Sequence, residues 1–123
     1  MYELTVEDTF DAAHYLRGYQ GACERLHGHT YRIQATLRTP DINDTGISVD
    51  FRDIKSGLQN ITAELDHQCL NDLPIFSTTN PSAENIAKYI FDRLSALFGG
   101  RVFKVTVWET PTSAAAYFRE SVE

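Results

Sequence analysis

The residues able to do chemistry are few and well spaced. The chain has four histidines, His14, His27, His29 and His67, and two cysteines, Cys23 and Cys69. The sharpest feature is His27-Gly28-His29. On a strand, residues two apart point to the same side. This run therefore sets two imidazoles on one face, with Gly28 leaving room between them. If the strand leading into His14 lies antiparallel to the one that starts near His29, His14 approaches the pair from its neighbour. Three imidazoles with an open fourth position describe a catalytic zinc site. A His-x-His pair can equally be a structural or surface feature. A metal is favoured here by position, at the entry of a strongly patterned strand and close to a cysteine.

Cys23 admits two roles. It precedes His27 by a short gap and could be a fourth zinc ligand, closing a structural site. It could instead lie beside the metal with a lowered pKa and exchange a proton with a substrate. Spacing allows both. Cys69 has no such setting and reads as an inert thiol. Asp66-His67 is either a pair at a helix end or a carboxylate that orients an imidazole and raises its basicity. Glu109 closes the run Val107-Trp108-Glu109-Thr110. A carboxylate there is either a strand terminus at the water boundary or an acceptor for two N–H groups of a guanine-like edge.

The elements that must position these groups follow from periodicity. Tyr2, Leu4 and Val6 alternate with Glu3, Thr5 and Glu7, which predicts a half-buried strand reaching His14. Gly18 and Gly21 mark a loop. From His29 alternation resumes: Tyr31, Ile33, Ala35 and Leu37 face one side, and Thr30, Arg32, Gln34 and Arg38 the other. Pro40 and Asn43-Asp44-Thr45-Gly46 predict a turn, after which Ile47 to Val49 could extend a hairpin. Asp50 can cap a helix whose apolar face is Phe51, Ile54, Leu58, Ile61 and Leu65. Residues 66 to 80 read as loop. Ser82 or Asn80 can cap a second helix, with Ile86, Ile90, Leu94 and Leu97 on one stripe, ending at Gly99-Gly100. A strand from Val102 to Glu109 and a last one from about Ser113 to Arg119 complete the chain.

The order strand, strand, helix, helix, strand, strand predicts an α+β fold, an antiparallel four-stranded sheet with both helices on one face. Strict alternation sets Val102 and Trp108 opposite Phe103, Val105 and Val107, so both faces of that strand carry apolar groups. A second subunit is the simplest cover for the helix-free face.

A length of 123 residues suits one domain spanning 1–123 and is enough to bury a core without disulfides. A formal charge of −6 argues against nucleic-acid binding but leaves room for a local cationic pocket and an anionic substrate. Two thiols far apart predict a reducing compartment. Met1-Tyr2-Glu3-Leu4-Thr5 has neither the basic flank nor the apolar run of a signal peptide. No stretch approaches a membrane span. The expected location is the cytoplasm.

Several runs together resemble one family. Phe10-Asp11-Ala12-Ala13-His14 and Cys23-Glu24-Arg25-Leu26-His27-Gly28-His29 are similar to motifs of the 6-pyruvoyltetrahydropterin synthase superfamily. So are Asp50-Phe51-Arg52-Asp53-Ile54-Lys55, Leu65-Asp66-His67, Asn80-Pro81-Ser82-Ala83-Glu84-Asn85 and Trp108-Glu109-Thr110. The short gap between Cys23 and His27 resembles the bacterial branch that makes 6-carboxy-5,6,7,8-tetrahydropterin. The resemblance implies the tunnelling fold, an oligomeric barrel assembled as a dimer of trimers with active sites at subunit interfaces. It implies Zn²⁺ held by His14, His27 and His29. It implies Cys23, Asp66 and His67 as catalytic groups, and Glu109 on the pterin ring. The implied substrate is 7,8-dihydroneopterin triphosphate, with acetaldehyde and triphosphate released on the way to queuosine and related 7-deazaguanines. Two other readings fit parts of the pattern: formation of 6-pyruvoyltetrahydropterin, and a zinc- or pterin-binding module without turnover.

Overall fold

Two long alternating segments form the heart of the sheet. They are β1 (Tyr2–His14) and β2 (His27–Thr39), paired antiparallel over their full lengths from Tyr2↔Thr39 to His14↔His27. The computed structural model describes residues 1–19, 21 and 24–120. Cys23 therefore lies outside the described residues. Even positions of β1 and odd positions of β2 share one face, where Val6, Phe10, Tyr31, Ile33, Ala35 and Leu37 are buried.

That face is covered by α1 (Phe51–Leu65) and α2 (Ala83–Phe98). The Asp50 side chain accepts from the Arg52 N–H at the start of α1, and the Ser82 hydroxyl accepts from the Asn85 N–H at the start of α2. Each satisfies one of the N–H groups that a helix start leaves unpaired. Helix α2 ends at Gly99, whose φ of 66° and ψ of −145° lie in a positive-φ region that glycine, lacking a Cβ, reaches without steric cost. Ile54, Leu58, Ile61 and Leu65 of α1 are essentially inaccessible to solvent. Burial of such side chains stabilises by ~1.5–3 kcal/mol each. Phe51 and Leu97, expected on the apolar stripes, stand 52% and 58% exposed. Phe51 opens α1 and Leu97 lies in the last turn of α2, so each sits at a helix end.

The expected four-stranded antiparallel sheet is corrected to a five-stranded mixed one. The strand order is β3-β1-β2-β4-β5, where β3 is Gln68–Cys69, β4 is Val102–Thr110 and β5 is Ser113–Phe118. The added strand β3 runs parallel to β1 through Ala12↔Gln68 and Ala13↔Cys69. A two-residue strand is too short to leave a periodic signal. Residues expected as plain loop also include two 3-10 turns, Leu70–Asp72 and Pro74–Phe76. Ile47 to Val49 forms no strand. The Asn43 side chain instead accepts from the Thr45 and Ile47 N–H groups and closes a local turn.

A second correction concerns β4. Pairing with β2 shifts between Thr36↔Lys104 and Leu37↔Val102, leaving Phe103 as an extra residue. Such a bulge breaks strict alternation. Val102 consequently joins Val105 and Val107 in the buried set rather than opposing them. Phe103 and Trp108 remain apolar groups outside it, and each lies under a guanidinium: Arg38 3.5 Å above Phe103, Arg32 3.9 Å above Trp108. Among the described residues, no helix is long and apolar enough to cross a membrane.

Candidate metal centre and active site

The register of β1 and β2 decides which imidazoles meet. His14 lies opposite His27, and Ala12 opposite His29, so all three imidazoles project to the helix-covered face at one end of the sheet. His14 is 1% exposed. Tyr31 forms the floor, its ring 5.8 Å from that of His14 and 5.5 Å from that of His29. Burial holds the Tyr31 hydroxyl well above the usual phenol range, so it stays protonated.

Hydrogen bonds fix two of the tautomers. The Nδ1 of His14 is 2.7 Å from the Pro81 carbonyl oxygen, and the Nδ1 of His27 is 2.6 Å from that of Arg25. A carbonyl only accepts, so both Nδ1 atoms carry hydrogen and donate. Both Nε2 atoms of the neutral rings then present lone pairs. These two Nε2 atoms are 3.0 Å apart. The buried Nε2 of His29 has no hydrogen-bond partner among the described residues. Burial lowers the His29 pKa below its ordinary 6.5; the Glu109 charge opposes this, and the other two histidines reinforce it. A neutral, unpartnered imidazole is the form that binds metal.

Glu109 completes the group. In the β4–β5 pairing, Trp108 meets Ala114 and Thr110 meets Ser113, which leaves Glu109 without a register partner. Two residues beyond Val107, Glu109 shares the helix-covered face of β4 with Val105 and Val107. The Glu109 Oε1 lies 3.1 Å from His14 Nε2 and 3.6 Å from His29 Nε2. One ligand atom from each of His14, His27, His29 and Glu109 falls within 4.8 Å of all the others. Three imidazole nitrogens and a carboxylate oxygen converging on one point fit a divalent cation of the zinc type.

Asp66 and His67 gather elsewhere. The His67 Nδ1 is 2.8 Å from Asp66 Oδ2. The Asp11 N–H donates to Asp66 Oδ1 at 2.9 Å, and the His67 N–H donates to the Asp11 carbonyl at 2.6 Å. His67 holds φ at 58°, the left-handed region, and its side chain is 77% exposed. The hydrogen bond and charge of Asp66 raise the His67 pKa. The Asp66 pKa is lowered, first by the Asp11 N–H and then by His67. The Asp11 side chain, which takes the Thr30 hydroxyl at 2.5 Å, belongs to the helix-free face, opposite the three imidazoles. His67 borders an open cavity of about 590 Å³ that it shares with Asp11, Gly28, Thr30, Cys69 and His29 of the histidine group.

The sequence therefore named residues that the structure sorts into two groups, with Glu109 joining the histidines. It missed the Pro81 carbonyl, the Asp11 backbone, and Glu84, which lines a cavity of about 190 Å³ with Glu109 and Ser113. Pro81 and Glu84 lie inside the run Asn80-Pro81-Ser82-Ala83-Glu84-Asn85, which resemblance singled out without assigning roles.

Comparison with known proteins agrees with the fold. Residues 3–120 match the family model described as 6-pyruvoyl tetrahydropterin synthase. A Synechocystis protein named 6-carboxy-5,6,7,8-tetrahydropterin synthase is 36% identical, over 96% of this chain and 94% of that protein. A Haemophilus influenzae protein of the same name is 31% identical, over 95% of this chain and 99% of that one. A solved 6-pyruvoyl tetrahydropterin synthase from Caenorhabditis elegans superposes with a TM-score of 0.85 at 30% identity, covering 98% of both chains.

Proposed function

The chain belongs to the 6-pyruvoyl tetrahydropterin synthase family, and from that premise we propose that it is a zinc-dependent 6-carboxytetrahydropterin synthase. The reaction is conversion of 7,8-dihydroneopterin triphosphate to 6-carboxy-5,6,7,8-tetrahydropterin, with release of acetaldehyde and triphosphate, towards queuosine and other 7-deazaguanines. The observation that carries this reading is the convergence of His14, His27, His29 and Glu109 on one point.

His14, His27 and His29 would hold the zinc, and when bound there the metal would supply Lewis acidity to the oxygens of the substrate side chain. Cys23 removes a proton from the side chain as a thiolate. His67, oriented by Asp66, carries the second proton. The pair is tied to the backbone edge of β1 at Asp11, and His67 shares an open cavity with His29. The reading includes a homo-oligomer, a dimer of trimers with active sites at subunit interfaces; the apolar Phe103 and Trp108 on the helix-free face support a partner there. Glu109 accepts from the pterin N3–H and 2-amino group and sets the ring's orientation. Its position between the imidazoles and the cavity it shares with Glu84 allows one carboxylate to fix the ring next to the metal.

The C. elegans likeness supports a second reading, formation of the 6-pyruvoyl product. Purified protein, zinc and dihydroneopterin triphosphate, followed by mass spectrometry, separate the two. A 6-carboxy pterin with acetaldehyde is the expected result. A 6-pyruvoyl pterin would transfer the assignment to the second reading, and unchanged substrate would defeat both.

A further inference from the structure

Strand β1 does not stop being held at its last ladder residue. Beyond His14, pairing with β2 ends, and β3 reaches only as far as Ala13. Two asparagines take over. The Tyr15 N–H donates to Asn71 Oδ1 at 3.0 Å, and Asn71 Nδ2 donates to the Tyr15 carbonyl at 2.9 Å. The Arg17 N–H donates to Asn80 Oδ1 at 2.9 Å, and Asn80 Nδ2 donates to the Arg17 carbonyl at 2.9 Å. A carboxamide has the N–H and C=O of a peptide group, so each asparagine satisfies one residue as a neighbouring strand would. Tyr15 and Arg17 are two apart and so offer the same edge. Asn71 is 6% exposed, so its bonds are not readily replaced by water.

The second asparagine leads directly to the metal centre. Asn80 precedes Pro81, whose carbonyl takes the His14 Nδ1–H. The Asn80 carbonyl in turn accepts from Asn85 Nδ2 at 2.9 Å, tying the segment to the first turn of α2. The Arg17 guanidinium donates to the Phe76 carbonyl at 2.8 Å and the Asn71 carbonyl at 3.1 Å, closing the loop between the two clamps. His14 is thus held from both ends: its backbone by the clamped strand exit, its ring by a carbonyl on the same clamped segment.

We propose that Asn71 and Asn80 are positioning residues for the zinc site, their carboxamides extending β1 past its ladder and fixing the Pro81 carbonyl that orients His14. The inference rests on the zinc reading above. Outer partners of a ligating histidine set its tautomer and ring orientation, and their loss typically weakens metal binding by roughly 10–100-fold. The Asn→Asp substitution keeps shape and acceptor but replaces the donor, setting an oxygen against a peptide carbonyl.

The test is zinc affinity by chelator competition for the full chain, Asn80→Asp, Asn71→Asp and Ile54→Val, a core truncation on α1. Asn80→Asp and Asn71→Asp are expected to bind zinc roughly tenfold or more weakly, with Ile54→Val unchanged. The downfield proton signal of the His14 Nδ1–H in the zinc-loaded protein is expected to shift or vanish in Asn80→Asp. If Asn71→Asp does not fold, because it buries a carboxylate, Asn80→Asp decides alone. Wild-type affinity and an unmoved imidazole signal in Asn80→Asp overturn the inference while leaving the zinc reading intact. An equal loss in Ile54→Val overturns it too, by tracing the effect to global stability. A wild-type chain that binds no zinc removes both.

Discussion

The Nε2 atoms of His14 and His27 stand 3.0 Å apart on rings whose Nδ1–H groups are already given to the Pro81 and Arg25 carbonyls. Two neutral imidazoles so fixed point lone pairs at each other. Only a proton or a metal ion between them turns that repulsion into attraction. The fold thus favours a cation at this point before any substrate arrives.

Zinc should therefore stabilise the folded chain. Binding to the native state alone adds ~2.7 kcal/mol when free zinc is a hundredfold above its Kd. Thermal unfolding should shift upward with added zinc and downward with chelator. His27→Ala and His29→Ala should each lose most of the bound metal by elemental analysis. Full zinc content in both would rule out the assignment.

Cys23→Ala should keep zinc and lose turnover by roughly 10²–10⁴-fold, the usual cost of removing a general acid or base. Three imidazoles and the Glu109 oxygen already converge without it. Loss of metal in this variant would instead make Cys23 a ligand.

Asp66→Asn should lower the His67 pKa towards its ordinary 6.5, because the hydrogen bond and charge of Asp66 are what raise it. The sign for stability follows. A raised pKa favours the protonated ring in the folded state, so the contribution is fully present below the unfolded value and is lost as pH rises through the folded one. Asp66, whose pKa is lowered, adds a contribution lost as pH falls through its own folded value. NMR titration of the His67 ring in both proteins measures the shift; identical midpoints would show that the contact has no electrostatic effect in solution.

Glu109→Gln should weaken binding of a non-reactive pterin by a few kcal/mol while zinc is retained. An amide offers one acceptor and one mismatched donor to the pterin edge. Titrating the zinc-loaded variant decides this. Unchanged pterin affinity would leave Glu109 with the metal alone, beside which its Oε1 lies.

A homo-oligomer should persist at micromolar concentration. Phe103 and Trp108 lie on a sheet face that neither helix covers, each under a guanidinium. Light scattering that gave a monomer mass would contradict this and would leave the helix-free face without its expected cover.

Periodicity alone determined much of the fold. The two-residue repeat located β1 and β2 and put His27 and His29 on one face, because alternation is a property of each strand by itself. The helical repeat located α1 and α2, and local chemistry identified Asp50 as a cap and offered Ser82 or Asn80 for the second, of which the structure uses Ser82. Tertiary structure decided what depends on register between distant segments. The bulge at Phe103 turned Val102 inward, and the pairing of β4 with β2 brought Glu109, which shares a face with Val105 and Val107, beside the imidazoles. Strand β3 arose only because the chain after α1 returns beside Ala12. The Asp66–His67 pair sits at the edge of β1 because Asp11 backbone groups hold it there. A strand's pattern shows which of its own residues share a side; which residues of another strand stand opposite is settled by long-range hydrogen bonds that leave no mark in the local sequence.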